Sequence, residues 1–206
     1  AKPDIPGLDS FAGHIVYTSR WDDDYGFAGK RAAMIGTGST AVQVIPELAK
    51  EVGDLTVYQR TPMWVMPKLD LPIPAPVRGV FAKVPATQRA VRWVTDVTQE
   101  MLMLIAMWKY RRFRSLNEKA KKLAALFRFL QVRDRGVRQA LTPTYDYGCK
   151  RPTVSNQYYR AFGQDNVHLE TAGIDHIEPD GIVTRDGRKT TIDVLLLATG
   201  YDVWEG

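Results

Sequence analysis

The sequence has few of the residues that build disulfides and metal sites. Its single cysteine, Cys149, excludes an internal disulfide, a CxxC redox pair and a cysteine-based zinc site. The three histidines, His14, His168 and His176, are widely spaced along the chain. We therefore expect no metal centre and no redox disulfide in this chain of 206 residues.

Long apolar runs are also missing. No run reaches the ~18–20 residues that a membrane span needs. The N-terminal stretch AKPDIPGLDS lacks the apolar segment of a signal peptide. We therefore expect a cytoplasmic protein.

The charge balance is mildly basic. The chain has 28 Lys and Arg against 23 Asp and Glu, a net charge of +5, and the excess lies largely between Arg111 and Arg138. A solvated helix face explains such an excess more often than an anionic partner does. We expect no nucleic-acid partner, and membrane contact by this basic insertion is the less favoured alternative.

Hydrophobic patterning predicts a strand, a helix and a second strand in close succession. Arg31–Ile35 has the composition of a buried strand, the helix that follows ends near Gly53, and residues 55–59 form the next strand. Near the end of the chain, the run VLLLATG at residues 194–200 is nearly all apolar, as buried parallel strands require. The pattern predicts an α/β fold with a Rossmann-like doubly wound parallel sheet.

An insertion interrupts the sheet pattern. Prolines recur between residues 62 and 85, and residues 88–141 then contain none and favour two or three amphipathic helices. The apolar run MLMLIAMW within them is too short to span a membrane and predicts a buried helix or a lid. The α/β pattern resumes with a helix near residues 154–162, a strand at Val167–Glu170 and a small antiparallel hairpin around an Asp-Gly turn.

The chain therefore divides into three parts. Residues 1–30 are rich in turns and form an approach segment. Residues 31–61 and 150–206 form the nucleotide-binding domain, and residues 62–149 form the proline-rich start and the helical insertion. This division is compatible with one domain that carries a sizeable insertion.

A glycine-rich turn lies between the first predicted strand and the helix. It matches the pattern G-x-G-x-x-G/A, in which the first glycine permits a tight turn, the second lets the backbone approach a pyrophosphate, and the last small residue keeps helix and strand close. Free N–H groups at the start of the helix attract phosphates. The alternative is a glycine turn that only packs. The predicted phosphate-binding residues are Gly36, Thr37, Gly38, Ser39, Thr40 and Ala41.

The residues after the second strand predict which nucleotide binds. NAD-binding sites place an acid there for the ribose 2′-hydroxyl, whereas this chain has Gln59-Arg60-Thr61. An acid would repel a 2′-phosphate, and a guanidinium binds it with two charge-assisted hydrogen bonds. Arg60 therefore predicts NADP(H) rather than NAD(H), and Thr61 beside it is also a predicted cofactor-binding residue. The alternative for Arg60 is a surface arginine at a strand end.

Three stretches resemble one family, the flavin-dependent monooxygenases of the Baeyer–Villiger type and their flavin-containing monooxygenase relatives. The first, FAGHIVYTSRWD, is similar to that family's fingerprint F-x-G-x-x-x-H-x-x-x-W-[PD]. A tyrosine stands where the family has histidine, which leaves open Baeyer–Villiger oxidation or heteroatom oxygenation. The fingerprint positions are Phe11, Gly13, Tyr17, Trp21 and Asp22.

The second and third stretches follow the insertion. YDYGCKRPTVSNQYYRAF is similar to the segment with which these chains re-enter the nucleotide domain. This resemblance implies that Lys150 binds the 2′-phosphate alongside Arg60, and that Arg151 is a catalytic cation near flavin and nicotinamide. The alternative for Arg151 is a structural ion pair. LLLATGYD, residues 195–202, is similar to the ATG-[YF] stretch where these chains return to their flavin domain.

The resemblance implies an enzyme larger than this chain. Family members reduce FAD with NADPH and insert one oxygen atom from O2 into a ketone or onto the heteroatom of a sulfide or amine. Their flavin domain has its own glycine motif, and no second copy precedes residue 31 here. We expect an NADPH-binding domain with its helical insertion, inactive without the flavin domain that holds most of the FAD.

Two other interpretations stay open. A fragment of a flavoprotein similar to the pyridine nucleotide-disulfide oxidoreductases would share the glycine turn and the ATG element. The absence of CxxC, the large insertion and Lys150-Arg151 argue against it. A non-catalytic nucleotide-binding module would instead use the basic helical region as an interaction surface.

Overall fold

The computed structural model describes residues 2–68, 70, 72–108 and 114–200, without the side chains of residues 102, 103, 105–108, 114 and 116. Two of the sequence-based interpretations therefore lie partly outside the described residues. They concern the last two residues of LLLATGYD and residues 111–113 of the basic region.

Strands and helices alternate as an α/β fold requires. The described strands are β1 (His14–Tyr17), β2 (Arg31–Ile35), β3 (Asp54–Tyr58), β4 (Val65–Met66), β5 (Thr153–Val154), β6 (Val167–Glu170), β7 (Ile174–Glu178), β8 (Gly181–Thr184), β9 (Lys189–Thr191) and β10 (Val194–Leu197). The described helices are α1 (Ser39–Leu48), α2 (Ala75–Lys83), α3 (Pro85–Trp108), α4 (Arg114–Gln131), α5 (Arg135–Ala140) and α6 (Tyr158–Ala161). A short 3₁₀ helix at Leu8–Ser10 precedes β1.

A five-stranded sheet with the order β1-β10-β2-β3-β6 is parallel throughout. From β2 the chain runs to one side through β3 and β6, and then crosses back so that β10 pairs with the other side of β2. The parallel sheet and its doubly wound order confirm the predicted fold class. The carboxyl ends of β2 and β10 form the point at which the strand order reverses, where open α/β sheets bind ligands.

Both faces of this sheet are covered, which explains its nearly continuous apolar strands. Met34 and Leu196 belong to a buried cluster with residues of α1 and α6. Alternate residues such as Ala33 and Leu195 belong to a second cluster with Ile182 of β8. That second face is covered by an antiparallel sheet of three strands, β7-β8-β9. The predicted hairpin is its β8–β9 part.

The strand at the edge of the sheet was not expected from the sequence. The hydrophobic pattern predicts the first strand at Arg31, but β1 begins seventeen residues earlier, at His14, and pairs with β10. Residues 14–17 therefore belong to the sheet rather than to an approach segment alone. The hydrophobic signal for β1 is weak in the sequence, because only Val16 of this short strand is fully buried.

The helices also differ in their bounds from the prediction. The helices of the insertion begin at Ala75, earlier than the predicted residue 88. Pro76 and Pro85 lie in the first turns of α2 and α3, where the missing N–H of proline costs nothing. The helix predicted at residues 154–162 is shorter, since Val154 belongs to β5 and α6 begins only at Tyr158. Three described helices, α3 to α5, cover the range for which two or three were predicted, and α2 precedes that range.

The two ends of the insertion are joined by β4 and β5, which pair in parallel. Trp64, Ala124 and Tyr147 form a small buried cluster there, so α4 packs against the start and the end of the insertion. Of the two alternatives predicted from MLMLIAMW, a buried helix or a lid, the buried helix is not seen at the two described side chains. Met101 is 54% exposed and Leu104 is 51% exposed.

An ion pair joins the amino ends of β2 and β10. The backbone N–H of Arg31 donates to Asp193 Oδ2 at 2.8 Å, and its guanidinium donates to both carboxylate oxygens, at 3.1 and 2.6 Å. The carbonyl of Asp193 also accepts from His14 N at 3.1 Å. Hydrogen bonds from the Arg31 side chain and backbone lower the pKa of Asp193 to about 2. Asp193 therefore connects three neighbouring strands.

We predict that Asp193→Asn lowers the free energy of unfolding at pH 7 and that this loss shrinks in acid. The pKa of Asp193 lies below its ordinary value of 3.8, so its stabilisation is complete above that pH and disappears as the pH falls towards 2. Urea unfolding from pH 7 to pH 3 measures the difference, with the exposed Asp165→Asn as control. A difference that does not change with pH would contradict this role.

Candidate functional site

A cavity of about 280 Å³ opens at the carboxyl ends of β1, β2 and β10. Three segments line it: residues 17–19 at the end of β1, residues 38–40 at the start of α1, and residues 197–200 at the end of β10. They include the glycine turn, one fingerprint position and the ATG element. The fold therefore brings together three stretches that lie far apart in the sequence, at the point where the strand order reverses.

Glycine occupies positions 36 and 38 of the turn for different physical reasons. Gly36 has φ +108°, and a Cβ there would lie 2.5 Å from the carbonyl oxygen of Ala198. This position needs glycine for the fold itself, because β10 passes too close for a side chain. Gly38 has φ −70°, and no atom lies within 4 Å of the place that its Cβ would occupy. The described residues give no reason for glycine at position 38, so the open space is available to a ligand.

The start of α1 has free hydrogen-bond donors beside this space. No side chain caps the helix at Gly38, and its first turn has no acid. The first N–H groups of a helix have no partner within the helix, and they carry a partial positive charge. Ser39 and Thr40 line the cavity, and Ala41 is completely buried in the core between α1 and the sheet. The arrangement suits a phosphate group.

Thr37 connects the glycine turn to the loop that carries Arg60. Its hydroxyl donates to the carbonyl of Thr61 at 3.0 Å, and the residue is buried. Arg60 is exposed, and its guanidinium has no hydrogen-bond or ion-pair partner among the described residues. The side-chain amide of Gln59 donates to the carbonyl of Ala140 at 2.8 Å, which ties the same loop to the end of α5.

Tyr145 brings Lys150 to this loop. The ammonium of Lys150 lies over the ring of Tyr145, 5.0 Å from its centroid, and the Tyr145 hydroxyl donates to the carbonyl of Pro62 at 3.0 Å. The indole N–H of Trp64 donates to the carbonyl of Tyr145 at 3.0 Å. Burial raises the pKa of the Tyr145 hydroxyl, which therefore keeps its proton as a donor. Tyr145 thus connects Lys150 to Pro62, two residues after Arg60.

Arg151 follows Lys150 and lies two residues before β5. The N–H of Thr153 donates to the carbonyl of Trp64 at 3.0 Å, which holds this stretch against the start of the insertion. Arg151 is exposed, and its guanidinium has no acidic partner in the part of the chain that the structure describes. The alternative of a structural ion pair for Arg151 therefore finds no partner among the described acids.

In the fingerprint stretch, Phe11 and Gly13 pack closely, and Tyr17 lies at the cavity. The ring of Phe11 and the carbonyl of Asp193 both lie 2.5 Å from the place that a Cβ of Gly13 would occupy. Phe11 is itself buried. Close packing therefore explains the F-x-G pair. Tyr17 lines the cavity, and its carbonyl accepts from Arg20 N at 2.8 Å, which turns the chain at the cavity edge.

The other two fingerprint residues hold the segment after β1. Trp21 lies against Phe27, with their ring centroids 5.3 Å apart. Asp22 Oδ2 lies 3.0 Å from His14 Nε2, without the angles of a hydrogen bond, and the His14 ring stacks on Tyr25 at 4.1 Å. The contacts of His14 and Tyr145 had no signal in the sequence, because their partners are distant in the sequence or lie in other elements.

Metal ligation and membrane spanning find no support in the described residues. Among them, no group of three His, Cys, Asp or Glu side chains lies close enough to hold a metal ion. None of the described helices is both long and apolar enough to cross a bilayer. Cys149 is exposed.

We predict that the two glycines respond differently to alanine. Gly36→Ala should lower the free energy of unfolding by at least about 2 kcal/mol, because it forces a side chain into positive φ and against Ala198. Gly38→Ala should change it by less than about 1 kcal/mol, because φ is ordinary and the space is open. Urea unfolding of both variants measures this, and equal losses would contradict the account of the turn.

The chain matches known monooxygenases along nearly its whole length. The family model of flavin-binding monooxygenase-like proteins matches residues 1–204. A Baeyer–Villiger monooxygenase of Streptomyces coelicolor is 37% identical over 201 residues, which are 98% of this chain and 38% of that protein. An uncharacterised monooxygenase of Mycobacterium tuberculosis is 40% identical over 202 residues, 97% of this chain and 39% of that protein.

Solved structures agree with this assignment. An oxidised steroid monooxygenase bound to NADP superimposes with a TM-score of 0.80 and 28% identity, and the match covers 98% of this chain and 45% of that one. A cyclohexanone monooxygenase from Rhodococcus sp. Phi1 bound to NADP+ gives a TM-score of 0.79 and 28% identity, with 98% and 44% covered. The chain spans about two fifths of the length of the curated relatives described above. It belongs to the flavin-binding monooxygenase-like family, whose similar members include Baeyer–Villiger monooxygenases.

Proposed function

We propose that this chain is the NADPH-binding part of a flavin-dependent monooxygenase of the Baeyer–Villiger type. The observation that carries the proposal is the open space at Gly38, beside the free N–H groups of α1 and at the reversal of the strand order. A pyrophosphate fits there because it needs a close backbone and donors rather than side chains. The structure of a related steroid monooxygenase bound to NADP supports the choice of ligand.

The residues around the end of β3 favour NADPH over NADH. The chain continues from Tyr58 with Gln59, Arg60 and Thr61, so no acid stands where NAD-binding sites place one. Arg60 is exposed and unpaired among the described residues, and Lys150 is held near its loop by Tyr145. We propose that these two cations bind the 2′-phosphate, Arg60 with its planar fork and Lys150 as a point charge.

The remaining roles concern the reaction in an intact enzyme. Bound NADPH supplies the hydride and bound FAD the chemistry with O2. We propose that Arg151 is a permanent cation near the reacting groups, which stabilises developing negative charge without giving up a proton. Its exposure and its lack of an acidic partner among the described residues support this role. Tyr17, at the cavity where the family fingerprint has histidine, would shape the same region.

The activity of the whole enzyme remains part of this proposal, because the chain spans under half of the relatives' length. We propose that the intact enzyme oxygenates a ketone, sulfide or amine with O2 and works in the cytoplasm. Most of the FAD would be held by a domain outside this chain, so the chain alone should not turn over substrate. The family match over residues 1–204 favours this proposal over a disulfide oxidoreductase fragment.

We predict that the chain binds NADPH more tightly than NADH and that Arg60→Ala removes most of the difference, since Lys150 remains. Loss of a charge-assisted bond to the 2′-phosphate should raise the Kd for NADPH by roughly 10- to 100-fold. The Kd for NADH should not change. Isothermal titration calorimetry measures both, with the exposed Arg160→Ala as the matched control.

A second variant tests the proposed pyrophosphate site separately from the proposed 2′-phosphate site. Gly38→Ala keeps the fold in our account but fills the space for the pyrophosphate, so it should weaken NADPH and NADH alike. Equal affinity of the wild-type chain for both nucleotides would exclude the role of Arg60. Unchanged binding by the folded Gly38→Ala variant would place the pyrophosphate elsewhere.

We also predict that Tyr145→Phe weakens NADPH binding selectively. Loss of the hydrogen bond to Pro62 releases the loop of Arg60 while the ring beneath Lys150 stays, so the Kd for NADPH should rise roughly three- to tenfold. Tyr147→Phe is the matched control, because Tyr147 packs against Trp64 through its ring. An equal effect on NADH would indicate a general loss of structure instead of a positioning role.

A further inference from the structure

Helix α4 has a charged side chain on its buried face. The helix packs against β4 and α6, and Arg128 follows Ala124 by one turn, so both side chains point in the same direction. Ala124 is completely buried, and Arg128 is only 5% exposed. Arg128 is the only buried residue with a charged side chain in the part of the chain that the structure describes. Helical patterning places an apolar residue at such a position, so this arginine requires a physical explanation.

The guanidinium of Arg128 lacks partners among the described residues. Its Nε and Nη1 atoms are buried, and no described hydrogen-bond acceptor reaches them. The ion pairs of α4 belong to Lys121, and no described Asp or Glu forms an ion pair with Arg128. A guanidinium keeps its charge in proteins, and a buried charge is normally paired. The described residues therefore leave both the charge and its donors without a counterpart.

The surroundings of Arg128 compensate only part of this charge. Arg128 lies in the last turn of α4, and the end of a helix carries about half a negative elementary charge. The hydroxyl of Tyr159 is uncharged, because burial raises its pKa. Arg128 opposes this rise in the pKa and so lies close to the hydroxyl, although the two groups lack the geometry of a hydrogen bond. Two groups that can donate hydrogen bonds therefore lie side by side without a described acceptor.

We propose that Arg128 and the Tyr159 hydroxyl bind a small inorganic anion of the chloride class between α4 and α6. The anion accepts hydrogen bonds from both groups and neutralises the guanidinium, which a water molecule does not do. The low exposure of Arg128 favours a monoatomic anion, since a phosphate ester or an acidic side chain from another domain needs more room to reach it. The bound anion joins a helix of the insertion to α6, which packs against α1.

Thermal unfolding of the whole chain tests this site, with sodium chloride compared with sodium gluconate at equal ionic strength. Gluconate has the same charge but is too large for the site, so it reproduces general screening alone. At a chloride concentration about tenfold above the Kd, the change from gluconate to chloride should raise the midpoint temperature by roughly 3–6 °C. Arg128→Met should abolish this rise and still fold, because methionine removes an unpaired buried charge. Arg133→Met, at an exposed arginine just after α4, should keep the rise.

The hydroxyl has its own pair of variants. Tyr159→Phe should raise the chloride concentration at half effect roughly three- to tenfold, because it removes one donor to the anion. Tyr158→Phe is the matched control and should leave that concentration unchanged. The Tyr158 hydroxyl is also buried, but burial and Tyr159 raise its pKa without a contribution from Arg128.

A crystal grown with bromide locates the anion directly. An anomalous peak within hydrogen-bond distance of Arg128 Nε or Nη1 would support the site. A water between the guanidinium and the side-chain oxygen of Gln131, which is also buried and unpaired among the described residues, would overturn it. A chloride response that persists in Arg128→Met, or that Arg133→Met also abolishes, would overturn it as well. The NADPH titration tests other residues, so either proposal can fail without the other.

Discussion

The close approach of β10 to the end of β2 is the constraint on which the site depends. The carbonyl of Ala198 lies where a side chain at position 36 would be, and Ala198 N donates to the carbonyl of Ile35 at 2.9 Å. This contact forces the tight turn after β2 and so fixes where α1 begins. The ion pair of Arg31 and Asp193 secures the other end of the same strand pair. The cavity is thus a direct consequence of how two parallel strands are packed.

The insertion contributes to the site, although the sequence shows it as an interruption of the sheet. Gln59 is bound to the end of α5, and Tyr145 is bound to Pro62 and lies beneath Lys150. Thr37 connects the same loop to the glycine turn. The turn proposed to bind the pyrophosphate and the loop proposed to bind the 2′-phosphate are therefore one connected arrangement. In this account, a substitution in the insertion changes cofactor selectivity without any direct contact with the nucleotide.

Local patterns were enough to predict much of the fold. The glycine turn, the buried strands and the β8–β9 hairpin each have a signal within a few residues, and the structure confirms them. Contacts that join distant residues had no such signal. Trp64 and Tyr145 are separated by 81 positions, and Arg31 and Asp193 by 162. The exposure of α3 was also missed, because an apolar run has the same sequence whether it lies in a core or on a surface.

The central claim is that a dinucleotide binds across the carboxyl ends of β2 and β10. A crystal structure of the chain grown with NADP+ tests it most directly. The account predicts that the pyrophosphate lies against Gly38, Ser39 and Thr40, and that the 2′-phosphate lies between Arg60 and Lys150. A nucleotide bound elsewhere, or one whose 2′-phosphate points away from both cations, would contradict it.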